Sequence, residues 1–148
     1  MNPVRAFLFS AIAAAGLGPS MAAAQAYQAV NLLQVVPLSQ TDFEVIEARG
    51  EGARGMWCAA ADFAINRLGI LRNERLYIKS PRGRSVSGAG RIGAVFTTDA
   101  ASLSVPPSRS YSVTVRDTGV GLPLHHAYQF CKDYIIELED ILYYQRKR

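Results

Sequence analysis

The stretch "RGMWCAAADFAINRLG", residues 54–69, decides how the chain is read. Its alanines favour helix. Trp57, Ala61, Ala64, Ile65 and Leu68 recur at spacings that place them on one helical face. Gly69 stands where a left-handed glycine commonly ends a helix. Gly55 is a moderate N-cap residue and marks the start less strongly. Asp62 and Asn66 lie one turn apart on the less apolar side. A helix here separates one pair of strands from those that follow, and that interruption sets the fold class.

On its N-terminal side, "AVNLLQVVPL" (29–38) is branched and apolar, a strand stopped by Pro37. "DFEVIEARG" (42–50) alternates in part, with Phe43, Val45 and Glu47 on one face and Glu44, Ile46 and Ala48 on the other. Ser39, Gln40 and Thr41 supply a short hairpin loop between them. "EGARG" (51–55) is a glycine-rich break before the helix. On the C-terminal side three more strands are predicted: "ERLYIKS" (74–80), ended by Pro81, "RIGAVFTTD" (91–99) and "SYSVTVRD" (110–117). The last alternates cleanly, with Tyr111, Val113 and Val115 inward and Ser112, Thr114 and Arg116 outward. That pattern suits an antiparallel sheet with one wet face. "PRGRSVSGAG" (81–90) reads as a mobile hairpin loop. From residue 124 the spacing becomes helical, with Leu124, Ala127, Tyr128, Cys131, Tyr134, Ile135, Leu138, Ile141 and Leu142 in one stripe. The order β-β-α-β-β-β-α predicts an α+β fold, an antiparallel sheet of about five strands with two helices.

The first 26 residues are set apart. Arg5 precedes an uncharged apolar run at 6–18, and Ala24-Gln25-Ala26 fits a small-x-small cleavage site. The run is shorter than a bilayer span requires, so it predicts a cleaved signal peptide, 1–26, and a single α+β domain over 27–148. The expected location is periplasmic or secreted. No later segment is apolar and long enough to cross a membrane. The formal net charge is +4, and Arg5 of the leader carries one of those charges. So mild a surplus aids attraction to anionic surfaces without marking a nucleic-acid binder.

Cys58 and Cys131 are the two cysteines. Both lie on predicted helices beside apolar stripes, and an oxidising compartment favours their pairing. One alternative is a pair of buried free thiols, since cysteine is often a small core hydrophobe; the other uses Cys58 as a nucleophile, its thiol acidified at a helix start, with His125 or His126 as base. "GMWCAAADFAINRLGILRNERLYI" resembles the nucleophile region of transglutaminase-like cysteine enzymes, in which a cysteine opens a helix and a strand follows. "LHHAYQF" is similar to that family's histidine followed by a small and an aromatic residue. The resemblance implies a cysteine hydrolase or acyl transferase. The family's histidine belongs on a strand, whereas His125 and His126 open a predicted helix.

Adjacent histidines point about 100 degrees apart on a helix and do not chelate one ion, so no metal or cofactor is expected. "GRSVSGAGRIG" lacks the Gly-Lys-Ser/Thr ending of a phosphate loop. The basic run is more informative. Arg67, Arg72, Arg75, Lys79, Arg82, Arg84 and Arg91 are interrupted by one acid, Glu74. Arg82, Arg84 and Arg91 bracket the glycines, a composition suited to an anionic envelope surface or an acidic protein partner. The progression "WCAAADFA", "RLYIKSPRGRS", "AVFTTD" resembles small exported alphaproteobacterial proteins known mainly as hypothetical, which implies no activity. The leading expectation is an exported, disulfide-closed, non-catalytic binding or structural module.

Overall fold

The computed structural model describes residues 25–147. The expected leader lies outside the described residues except for Gln25 and Ala26. The elements are β1 (Tyr27–Gln28), β2 (Gln34–Pro37), β3 (Asp42–Ile46), α1 (Gly52–Asn66), β4 (Arg75–Arg84), β5 (Ile92–Thr97), β6 (Gly121–Pro123), α2 (Leu124–Gln129) and α3 (Lys132–Arg146). A 3-10 turn occupies Ala100–Ser102. The strands form one sheet in the order β1-β2-β3-β5-β4-β6, and every pairing is antiparallel. The α+β class and antiparallel sheet are as expected, with six strands and three α-helices among the described residues.

The period-2 pattern of the strands divides the sheet into two faces. Register places Phe43 and Ile78 opposite Phe96, and these residues are buried with Leu76, Val45 and Leu122 against α1. Phe43 meets Phe63 of α1 at 4.7 Å between ring centroids, and Trp57 meets Phe96 edge-on at 5.0 Å. The other face carries Asp42, Glu44, Val95, Thr97 and Tyr77. Lys79 reaches Asp42 across the intervening β5, at 2.5 Å.

α1 is buried along its whole middle, from Gly55 to Ala64, because the sheet covers one side and α2 packs on another. It begins at Gly52, so Gly55 is not its cap. It closes as expected: Gly69 adopts φ +70°, and the Ile70 N–H donates back to the Ala64 carbonyl at 3.0 Å. Asp62, on the less apolar side of α1, is buried. Its buried carboxylate accepts from the Tyr27 hydroxyl (2.9 Å), the Val30 N–H (3.0 Å) and the Asn66 amide (2.6 Å), fastening the start of the sheet to α1. Burial, together with the bond to Asp62, pushes the Tyr27 phenol up to about 12.

The strand predicted over 29–38 is confined to Gln34–Pro37, because residues 30–32 turn the chain between β1 and β2, with Leu32 at φ +65°. Three further sequence expectations are corrected. First, residues 110–117 are not a strand of the sheet. The hydroxyls of Ser108, Ser110, Ser112 and Thr114 each accept the backbone N–H two residues on, at 3.1, 3.4, 3.3 and 3.2 Å. Side chains take the donors that a ladder would use. The alternation survives only in part: Val115 is buried, Val113 half-buried, and Tyr111 is 64% exposed. Second, β4 does not end at Pro81 but continues to Arg84, with register shifts between Ile78 and Ser80 and between Ser80 and Gly83. A proline is tolerated at such an irregularity because its missing N–H costs no ladder bond. Third, the closing helix is two helices, broken at Phe130 and Cys131. Leu124, Ala127 and Cys131 are buried, whereas Ile141 and Leu142, farther along the predicted stripe, are exposed.

Candidate anion-binding surface

Cys58 and Cys131 are joined in a disulfide with Cα atoms 5.1 Å apart, and both are fully buried. The bond ties the second turn of α1 to the junction of α2 and α3. The sulfur proposed as a nucleophile is therefore consumed, and its position in the second turn lies beyond the first-turn N–H groups that would acidify a thiol. His125 lies on the surface, its backbone N–H and its Nδ1 both within hydrogen-bond distance of the Arg72 carbonyl, at 2.9 and 3.2 Å. His126 sits between the rings of Tyr111 (5.6 Å) and Phe130 (5.8 Å). Among the described residues no group of three His, Cys, Asp or Glu side chains is placed to hold a metal ion.

The β4–β5 hairpin is the surface that sequence singled out. Its loop is fastened rather than mobile. Buried Glu44 accepts from the Val86 N–H (2.8 Å), the Ser87 N–H (2.9 Å) and the Ser85 hydroxyl (3.0 Å). Gly93 makes room for this carboxylate, since a Cβ there would lie 2.4 Å from its oxygen. Ser85 N–H donates to the Arg91 carbonyl at 3.1 Å and closes the hairpin base. The three arginines are not equivalent. Arg82 donates to Glu47 through Nε at 2.9 Å and approaches it with a second nitrogen at 2.6 Å. Arg84 and Arg91 are exposed and make no ion pair among the described residues.

Burial alone would raise the Glu44 carboxyl, but the hydrogen bonds from Ser87, Val86 and Ser85 outweigh it and hold the group below its ordinary 4.5. A carboxylate held low in the folded state stabilises fully above its unfolded value, and that stabilisation is lost as pH falls through the lower folded value. Glu44→Gln is expected to cost about 2 kcal/mol near neutrality, the scale of hydrogen bonds to a charged group. The difference from the parent should shrink below pH 4.5. Urea melts at a series of pH values check both, and a pH-independent difference would exclude the charge as the cause.

A second cationic feature was not foreseen. A cleft of about 490 Å³ is lined by Arg75, Tyr77, Pro107, Ser108, Arg109 and Tyr111. The signal was present in sequence as two Arg-x-Tyr triplets, 75–77 and 109–111. They come together because β4 pairs with β6, and the Ser108 N–H then donates to Gly119, two residues before β6, at 2.8 Å.

Fold and surface together define a small α+β domain closed by a structural disulfide. No family model matches the chain, and neither any curated protein nor any solved structure matches it significantly.

Proposed function

We propose that the protein is an exported, non-catalytic binding module that rests on an anionic envelope surface through its β4–β5 hairpin. The observation that carries this reading is the contrast within the hairpin. Glu47 neutralises Arg82, while Arg84 and Arg91 stand exposed without an acidic partner among the described residues, on a loop held by Glu44. Cations presented on a fixed support lose less entropy on binding than cations on a mobile loop. Export fits two further features. The first strand among the described residues begins at Tyr27, directly after the expected cleavage site, and a buried disulfide suits an oxidising compartment. In this reading the alphaproteobacterial likeness concerns export alone.

Co-sedimentation with phosphatidylglycerol vesicles tests the surface. The parent is expected to bind them and to leave phosphatidylcholine vesicles unbound, with weakening at high salt. Arg84→Glu with Arg91→Glu should lower binding at least tenfold while leaving the melting temperature close to that of the parent. Unchanged binding by the double variant would reject the hairpin as the contact. Expression of the full chain in a Gram-negative host should give a periplasmic product whose N-terminus is Tyr27.

A further inference from the structure

The geometry points to a small-ligand site in the Arg75/Tyr77/Arg109/Tyr111 cleft, separate from the hairpin, that takes an organic carboxylate built on a flat ring. Its lining contains two guanidinium groups and no acidic residue. Neither Arg75 nor Arg109 forms an ion pair among the described residues. Arg75 is half-buried, donates one Nη2 hydrogen bond to the Gly121 carbonyl at 2.7 Å, and keeps a buried Nε with no hydrogen-bond partner among the described residues. Two cations that share a cleft without a counter-charge repel each other, and an entering anion relieves both that repulsion and the desolvation of Arg75. Guanidinium groups match a carboxylate in planar, bidentate fashion.

The rest of the lining selects the body of the ligand. Tyr77, Tyr111 and Pro107 offer flat apolar surfaces, and a volume of about 490 Å³ suits a small molecule. Both walls are held before any ligand arrives. β4 is paired on one side with β5 and on the other with β6. The Tyr77 ring packs over Gly121, where a Cβ would come within 2.4 Å of it. On the opposite wall Ser108 is bonded to Gly119, and the Tyr111 ring rests on His126, itself packed on Phe130. Such walls lose little freedom on binding.

The test uses the full oxidised chain and three probes: 2-naphthoate, its neutral isostere naphthalene-2-carboxamide, and inorganic phosphate. Amide and side-chain NMR shifts locate binding, and calorimetry measures it. 2-Naphthoate is expected to shift residues 75–77 and 107–111, with the carboxamide and phosphate each at least tenfold weaker. Arg109→Gln and Tyr111→Ala alter exposed side chains and are expected to keep the fold while weakening naphthoate at least tenfold. Arg84→Glu with Arg91→Glu should leave naphthoate binding unchanged, so that failure of the vesicle reading and failure of this site are told apart. No shift in the cleft at millimolar naphthoate, or unaltered affinity in Arg109→Gln, would overturn the site. Equal binding of the carboxamide would overturn the requirement for an anion, and equal binding of phosphate would overturn the requirement for a flat body.

Discussion

Replacing both cysteines, as Cys58→Ser with Cys131→Ser, is expected to lower the unfolding free energy by about 4 kcal/mol and the melting temperature by about 15 °C. The bond closes a loop of 73 residues, and the chain entropy it removes from the unfolded state sets this scale. Domains of this size have a total stability of only about 5–15 kcal/mol, so the loss is a large share. Both sulfurs are fully buried, so reductant should act slowly on the native protein and quickly once the chain opens. Thermal melts of oxidised, reduced and double-serine protein check this, with intact mass confirming the redox state. A double variant that melts with the parent would show that packing of α2 on α1 holds the junction without the bond.

Trp57→Ala is expected to cost about 4 kcal/mol, within the range for emptying a large aromatic from a core. Trp57 is fully buried, meets Phe96 edge-on, and donates its indole N–H to the Val113 carbonyl at 3.0 Å. It therefore holds two things at once, the α1–sheet interface and the wrapping segment before β6. Trp57→Phe separates them. It keeps a ring in the core and loses the hydrogen bond, with an expected cost of about 2 kcal/mol from the smaller volume and the unpaired carbonyl. Hydrogen exchange should then rise at residues 110–116 more than within β3 or β5. Uniform loosening of the whole sheet would show that the indole hydrogen bond does not position that segment.

Much of this architecture could be read from local patterns. The β2–β3 hairpin, its Ser39 loop, the face assignment of Phe43 and Val45, and the Gly69 cap each depend on residues close in sequence. The disulfide followed from parity and compartment. The wrapping segment could not be read the same way. Alternation at 111–115 is real, but it does not reveal that the intervening hydroxyls satisfy the backbone themselves. Nor does any glycine or proline mark the break at Phe130 and Cys131. The burial of Glu44 could not be read locally, because its partners lie more than forty residues away in the hairpin loop. The cleft was hidden for the same reason. Each Arg-x-Tyr triplet is unremarkable alone, and only the pairing of β4 with β6 sets one against the other.

The serine-rich segment before β6 carries one more consequence. Its N–H groups at residues 110, 112, 114 and 116 are taken by side-chain hydroxyls, while the Val113 and Val115 carbonyls accept from Trp57 and from the Arg82 N–H. An extended stretch at the rim of a sheet ordinarily offers a template on which another chain can add a strand and start aggregation. Here those donors are spoken for within the segment itself. Hydroxyls thus perform, for this segment, the guarding role that edge lysines, prolines or bulges perform elsewhere, and its donors at residues 110–116 are not left free for a neighbouring strand.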